Sequence, residues 1–227
     1  MPLKLGYFPS RGYAHPIRQL LYITNQEFEN VFFPNFQGWV AKKQEIITSD
    51  QETPFVNFPY LIDGDFFLTE TAAIPYYLAK KAGKEELLGK GLKDESRVRE
   101  VMGVAQELMV AIVNWIFSDQ RIPQLKKLAA DGGKVRELYQ RLSGYLGEKE
   151  FLVGYFTYAD LVVSHYVRYG RNYCLSSEGE DPLRGLDNLF EHVKRVEALP
   201  QLQGFPHLLP YVPPGVMTWF KEFPLPQ

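Results

Sequence analysis

The sequence contains very little cysteine. Cys174 is the single cysteine among 227 residues, which excludes an internal disulfide and is typical of proteins from a reducing compartment. A catalytic cysteine is expected beside a base or at a helix N-terminus, whereas Cys174 lies in the polar stretch 172–176. We therefore expect a cytoplasmic protein in which this thiol is not the nucleophile.

Long hydrophobic runs are also missing. Lys4, Ser10 and Arg11 interrupt the N-terminal region, so it lacks the apolar core of a signal peptide. The longest clean apolar run, residues 108–113, is far shorter than the about 20 residues that cross a bilayer. We expect no membrane partner.

The sequence has no large excess of positive or negative charge, since its formal net charge is -2. This balance gives no reason to expect nucleic acid as a partner. Glycine-rich nucleotide loops, the H-E-x-x-H motif and the G-x-S-x-G elbow are absent. The histidines lie far apart in the sequence, so we expect no metal. Common nucleotide, metal and Ser-His hydrolase mechanisms are not indicated.

Hydrophobic patterns predict a small α/β domain at the N-terminus. Strand-like residues 3–7, a helical pattern over 15–26 and strand-like residues 29–33 form a βαβ unit, which favours parallel pairing. After an irregular stretch, Asp63-Gly64-Asp65 separates two apolar runs and predicts a hairpin. Glu70 and Thr71 then begin a last helix. The order is βαβ followed by ββα.

The rest of the chain has helical patterns almost to its end. Apolar residues recur every three or four positions from Val98 to Trp115, as in an amphipathic helix. Residues 159–167 are apolar on nearly every face, so this helix should be buried, and Thr157 with Asp160 forms a capping box before it. We predict an α/β domain over 1–83, a linker over 84–93 and an all-helical domain over 94–227.

Three features of the small domain point to a binding site, although each has an ordinary explanation. Tyr7 ends the first strand, Pro59 precedes the third, and Thr71 starts the last helix. They could equally be a core aromatic, the start of an edge strand and a plain N-cap. Together they predict a cleft between two domains that could hold a small anion at a helix N-terminus.

Four segments resemble cytosolic glutathione transferases of the mu and sigma classes. Residues 5–18, LGYFPSRGYAHPIR, are similar to the N-terminal Leu-Gly-Tyr, Arg-Gly, Ala-His and Ile-Arg of mu members. Residues 57–64 resemble the segment before the third strand, and 67–74 the next stretch, where Gln-Ser is usual. Residues 151–160 resemble the capping-box region. The resemblance covers both domains in order.

The resemblance implies a glutathione transferase fold, with a thioredoxin-like first domain, an all-helical second domain and a homodimer. Glutathione would be the co-substrate, and no metal is implied. Tyr7 would be the catalytic residue, donating a hydrogen bond to the glutathione thiolate. A free thiol has a pKa of about 8.5, so only about 3% is ionised at pH 7. Full ionisation would therefore raise the reactive species about 30-fold.

The resemblance also assigns glutathione contacts. Pro59 would follow a cis bond, so that the backbone of Phe58 pairs with the cysteinyl backbone of glutathione. Thr71 would bind the γ-glutamyl carboxylate, Glu70 would face the ammonium group, and Asn57 would help to fix the peptide.

Further contacts are implied at the edge of this site. Phe8 would also contact glutathione, and Trp39 with Lys43, spaced one helical turn apart, would hold the glycyl carboxylate. The alternative is a solvated lysine beside a packing tryptophan. Phe55 would be the aromatic key that one subunit inserts into its partner.

Hydrophobic electrophiles would bind beside the sulfur. The candidates for this pocket are Phe8, Tyr13, Leu108, Ile112 and Trp115. Ile112 and Trp115 could instead belong to the core or to a dimer surface. Arg11 could add positive potential or form a structural ion pair.

The leading functional hypothesis is therefore an enzyme that conjugates glutathione to hydrophobic electrophiles, as in detoxification. Two alternatives stay open. One is a glutathione-dependent isomerase, such as a prostaglandin synthase, which uses the same thiolate. The other is a non-catalytic glutathione-binding or structural relative, against which the retained Tyr7 argues weakly.

Overall fold

A computed structural model describes residues 2–33, 36–48, 55–116, 127–176, 180–206 and 209. The described residues form two compact units, one within the bounds Met1–Lys84 and Gly204–Gln227 and the other within Glu85–Gln203. A short 3-10 turn, Glu85–Leu88, lies in the stretch predicted as a linker. Residues 204–206 and 209 belong to the first unit, although the sequence prediction put them in the helical domain.

The first unit contains a four-stranded mixed sheet. Its strands are β1 Leu3–Tyr7, β2 Phe28–Phe32, β3 Tyr60–Asp63 and β4 Phe66–Thr69. The order across the sheet is β2-β1-β3-β4. β1 pairs with β2 in parallel, and β3 is antiparallel to both β1 and β4. The predicted βαβ unit and hairpin are therefore confirmed.

Three helices accompany the sheet, namely α1 His15–Ile23, α2 Phe36–Thr48 and α3 Ala73–Lys81. α1 ends three residues before the predicted end, because Asn25 adopts a left-handed φ of 52° that a helix cannot continue. The stretch predicted to be irregular instead contains α2. α3 begins two residues after Thr71, so the prediction that Glu70 and Thr71 start this helix is corrected.

The core of the first unit lies where α1 and α3 pack together on the sheet. Aliphatic side chains of both helices and of β1 and β3 are completely buried. They are Leu5, Ile17, Leu20, Leu21, Leu61, Ile74 and Leu78. Each contributes about 1.5–3 kcal/mol relative to an exposed side chain, so they hold the end of β1 in a rigid setting.

The second unit is helical, with α4 Leu92–Ile116, α5 Lys134–Leu146, α6 Tyr158–Ser176 and α7 Asp187–Glu197. α6 packs against α4 and α7, and α5 also contacts both of these helices. All nine residues from 159 to 167 are buried, including the polar Asp160, Ser164 and His165. The predicted burial of this segment is therefore confirmed. No described helix has the length and apolarity that a membrane crossing requires.

One of the two reciprocal hydrogen bonds of the predicted capping box is present at the start of α6. The Asp160 carboxylate accepts hydrogen bonds from the backbone N–H of Thr157 at 2.8 Å and from its hydroxyl at 3.1 Å. It also accepts one from the N–H of Leu152 at 2.9 Å and lies 2.9 Å from Nε2 of His192. Asp160 therefore joins a loop, the start of α6 and α7.

Candidate functional site

Tyr7 is the last residue of β1, and the turn that follows wraps around its hydroxyl group. Oη of Tyr7 accepts a hydrogen bond from the backbone N–H of Tyr13 at 3.1 Å. Gly12 has a φ of +38°, and a Cβ added there would lie 2.4 Å from this oxygen. The turn can approach the phenol this closely because residue 12 has no side chain.

Burial makes the Tyr7 hydroxyl a weaker acid. Desolvation raises the pKa of its hydroxyl above the ordinary value, while the Tyr13 N–H and the positive charge of Arg18 lower it to a smaller extent. Since burial disfavours the phenolate, the hydroxyl stays protonated at neutral pH. With its oxygen already accepting one hydrogen bond, Tyr7 is arranged to donate its proton to another group.

The sequence prediction missed the role of Arg18. This residue of α1 is only 3% exposed, and its Cζ lies 5.9 Å from the centre of the Tyr7 ring. Nη1 donates to the carbonyl of Ser10 at 2.7 Å, and Nε donates to Oδ1 of Asn30 at 2.8 Å. One signal was available, because Arg18 precedes the apolar Leu21 by three residues and therefore faces the core.

Arg11 is oriented differently. Its Nε donates to the backbone carbonyl of Leu209 at 2.8 Å. The positive charge of Arg18 in α1 lies against the Tyr7 ring.

Aromatic side chains bring several of the predicted residues together beside Tyr7. The Phe58 ring stacks on Trp39, with centroids 3.7 Å apart, and makes edge contacts with Phe8 at 4.9 Å and Tyr7 at 5.6 Å. The Phe58–Pro59 bond is cis, as the resemblance implied. One site on the first unit therefore contains five of the predicted residues.

The segment before β3 has a defined set of hydrogen bonds. Oδ1 of Asn57 accepts from the backbone N–H of Phe58 at 2.9 Å. The hydroxyl of Thr69 in β4 donates to the carbonyl of Phe55 at 2.6 Å. Sequence reasoning did not select Thr69, which anchors the beginning of this segment to the sheet.

Glu70 adopts an unusual backbone conformation just before α3. Its φ is +78°, which is rare for a residue with a side chain. Its carbonyl accepts from the N–H groups of Ala73 and Ile74. Ala72 is the N-cap of α3, so the alternative interpretation of Thr71 as a plain N-cap is wrong. Such strained residues are frequent at functional sites, where they cost about 1–3 kcal/mol.

The remaining candidates of the first unit lie on its surface or beside the aromatic group. Trp39 is buried in α2, and Lys43 lies one turn further along and is half-buried. Tyr13 is also half-buried, and burial raises the pKa of its hydroxyl. Phe55 is 71% exposed, which is unusual for so large an apolar side chain.

The electrophile-pocket candidates of the second unit have a different environment. Leu108 and Ile112 lie on the inner face of α4 and are 0% and 2% exposed. This burial favours the alternative that Ile112 belongs to the core, and the same holds for Leu108. The side chain of Trp115 lies outside the described part of the chain.

Among the residues that the structure describes, no three His, Cys, Asp or Glu side chains come together in a way that could hold a metal ion. Cys174 is buried in α6, and burial raises the pKa of its thiol to about 12. This thiol is therefore protonated at neutral pH.

Two family models match the chain. The N-terminal domain model of glutathione S-transferases covers residues 3–80, and the C-terminal domain model covers residues 106–206. The chain therefore belongs to the glutathione S-transferase family, a family of transferase enzymes. The resemblance and the fold class inferred from the sequence are both confirmed.

Individual relatives agree with this assignment. Glutathione S-transferase Mu 1 of Oryctolagus cuniculus is 30% identical over an alignment of 217 positions that covers 90% of each chain. The class-mu 26 kDa isozyme 51 of Fasciola hepatica is 26% identical over an alignment of 230 positions that covers 98% of this chain and 96% of the relative. Both are named as mu-class glutathione S-transferases.

Solved structures show the same fold. A structure of rat hPGDS complexed with a quinoline has a TM-score of 0.78 at 23% identity, covering 94% of this chain and 100% of that chain. The glutathione S-transferase from Ascaris lumbricoides has a TM-score of 0.75 at 23% identity, with the same coverage. At this identity the two likenesses establish the fold alone.

Proposed function

We propose that this protein conjugates glutathione to hydrophobic electrophiles and that Tyr7 stabilises the glutathione thiolate. The main support is the arrangement around its hydroxyl group. Burial raises the pKa of the phenol, which is protonated at neutral pH, and the Tyr13 N–H occupies one lone pair of Oη at 3.1 Å. A phenol held in this way is a directed donor, and a hydrogen bond to the charged form of an acid lowers the pKa of that acid.

Glutathione would bind along the first unit. The backbone of Phe58 would pair with the cysteinyl backbone. The Phe58 N–H now donates a hydrogen bond to Oδ1 of Asn57 at 2.9 Å, and this bond must break before the N–H can pair with glutathione. Glu70 and Thr71, just before α3, would take the γ-glutamyl end. A helix N-terminus favours a carboxylate there. Trp39 and Lys43 of α2 would take the glycyl end.

The chemistry that follows needs no metal. The thiol of bound glutathione loses its proton to solvent, and the Tyr7 hydroxyl donates to the resulting sulfur anion. The sulfur then uses an electron pair to form a bond to an electrophilic carbon. Either a leaving group departs from that carbon with the bonding electrons, or the electrons of a double bond shift away from that carbon to its neighbour, which then takes a proton from solvent. Phe8 and Tyr13 are half-buried beside Tyr7, and they would supply apolar surface for the electrophile.

The assembly and location follow from other observations. We propose a homodimer in which Phe55 packs against the partner subunit, because so exposed an aromatic side chain is costly on a free surface. The single cysteine supports a cytoplasmic location, and conjugation of this kind would serve detoxification.

Substitution of Tyr7 by phenylalanine tests the proposed function. The pKa of the bound thiol, followed by thiolate absorbance, should return towards the free value of about 8.5. Conjugation to an aryl halide at pH 7 should then fall by up to about 30-fold. Tyr76→Phe, at an exposed tyrosine of α3, is the matched control and should behave as wild type. A wild-type protein that neither ionises nor conjugates glutathione would refute the proposal.

A further inference from the structure

Arg18 carries a buried charge that lacks a counter-ion in the described structure. Its guanidinium group donates to two neutral acceptors, the carbonyl of Ser10 and the side-chain amide oxygen of Asn30. Nη2 is buried and has no hydrogen-bond partner. By contrast, Arg171 of the helical unit pairs with the Asp181 carboxylate at 2.7 Å. A buried cation without an anion is costly, and its charge remains available to interact with an anion nearby.

The cation persists at neutral pH. Desolvation lowers the pKa of Arg18 to about 10, which leaves it protonated under physiological conditions. Two aromatic rings flank the group, Tyr7 at 5.9 Å and Phe32 at 5.7 Å, and they screen a charge much less than water does. The electrostatic field of the Arg18 guanidinium therefore extends to the side of the molecule where the Tyr7 hydroxyl lies.

The same side chain also controls the geometry of the turn. Nη1 of Arg18 holds the carbonyl of Ser10, three residues before Tyr13, whose N–H donates to Oη of Tyr7. We propose that Arg18 is a positioning residue that acts through Tyr7. Its hydrogen bond fixes the turn that orients the phenol, and its uncompensated charge favours an anionic sulfur beside that phenol. This inference depends on the proposed function.

The sharpest test neutralises the charge without removing the arginine. Asn30→Asp converts the acceptor 2.8 Å from Nε into a carboxylate of nearly the same shape. At an effective dielectric constant of about 20, a unit charge about 10 Å from the sulfur changes the pKa of the thiol by about one unit. We expect the bound thiol pKa to rise by this amount and kcat/KM below that pKa to fall about tenfold, while KM for glutathione changes little.

Two substitutions of Arg18 itself separate charge from shape. Arg18→Lys keeps the charge and loses the fork of donors that reaches both Ser10 and Asn30, so the thiol pKa should rise by less than it does in Arg18→Met. Arg18→Met loses the charge and should raise the thiol pKa as Asn30→Asp does. Arg136→Met is the matched control, because Arg136 is also buried and its Nη1 also donates to a backbone carbonyl, at 2.9 Å. It should leave the thiol pKa unchanged.

The outcomes distinguish this inference from the proposed function. If wild type ionises bound glutathione and Asn30→Asp has the same thiol pKa, then Arg18 has no electrostatic role and the inference is wrong, whereas the proposed function stands. If wild type does not ionise glutathione at all, the proposed function fails first. Should Arg18→Met not fold, Asn30→Asp and Arg18→Lys still decide the question, since both retain a cation at residue 18.

Discussion

The contact between Gly12 and Tyr7 gives a prediction that isolates the position of the phenol. Replacing Gly12 by alanine has two separate costs. A φ of +38° is unfavourable for alanine by about 1–2 kcal/mol. The added Cβ would also lie 2.4 Å from Oη of Tyr7, well inside van der Waals contact, so the ring must move. We expect Gly12→Ala to fold with reduced stability and to lose the directed hydrogen bond to sulfur.

The magnitude follows from the chemistry of the thiol. Loss of the hydrogen bond would return the bound thiol to a pKa of about 8.5 and lower kcat/KM at pH 7 by up to about 30-fold. Stopped-flow measurement of thiolate absorbance against pH gives the pKa, and an aryl-halide assay gives the rate.

Gly64→Ala provides the control for backbone strain. Gly64 in the β3–β4 hairpin has a φ of +64°, and a Cβ there would meet nothing within 4 Å. This variant should lose a similar 1–2 kcal/mol of stability and keep the wild-type thiol pKa. Equal thiol pKa values in the two alanine variants would refute the reasoning, because they would show that the turn does not position Tyr7.

Two further predictions concern stability and assembly. Asp160→Asn should lower the free energy of unfolding in urea by about 3 kcal/mol. The reason is that this fully buried carboxylate accepts hydrogen bonds from Thr157 and Leu152 and contacts His192. A loss below about 1 kcal/mol would contradict the capping role. Phe55→Ser should shift sedimentation from dimer towards monomer, whereas Ile47→Ser, at an equally apolar exposed site in α2, should not. A wild-type monomer would contradict the proposed assembly.

Secondary structure was predictable where the pattern of apolar residues allowed a single interpretation. The β3–β4 hairpin has apolar residues on both sides of Asp63-Gly64-Asp65, and α6 has apolar residues on nearly every face, so each pattern has a single interpretation. α2 was missed because Trp39 and Ile46 are buried while Val40 and Ile47 are exposed. Apolar residues on both faces blur the helical period from which a helix is recognised.

The candidate site was predictable only in part. Tyr7, Phe58 and the cis Pro59 were found through motifs that are contiguous in the sequence. The roles of Arg18 and Thr69 depend on partners in other elements, Asn30 in β2 and the carbonyl of Phe55. Such pairings are set by tertiary packing and leave no local pattern. Leu108 and Ile112 illustrate the opposite problem, since an apolar stripe on a helix looks the same whether it faces a core or a ligand.

The acidity of Tyr7 is set by two opposing effects, and this opposition suits a hydrogen-bond donor. Burial alone would make the phenol a weaker acid, and a weaker acid is a poorer donor to a sulfur anion. The Tyr13 N–H and the Arg18 cation both lower the pKa of the phenol, without bringing it down to its ordinary value. The proton therefore stays on Oη at neutral pH, while the O–H bond is polarised by a neighbouring charge. Substitutions that weaken the burial of the phenol, or the effect of Arg18 and the Tyr13 N–H, should therefore change the pKa of the bound glutathione thiol. Tyr7 itself should stay protonated at neutral pH in each of these variants.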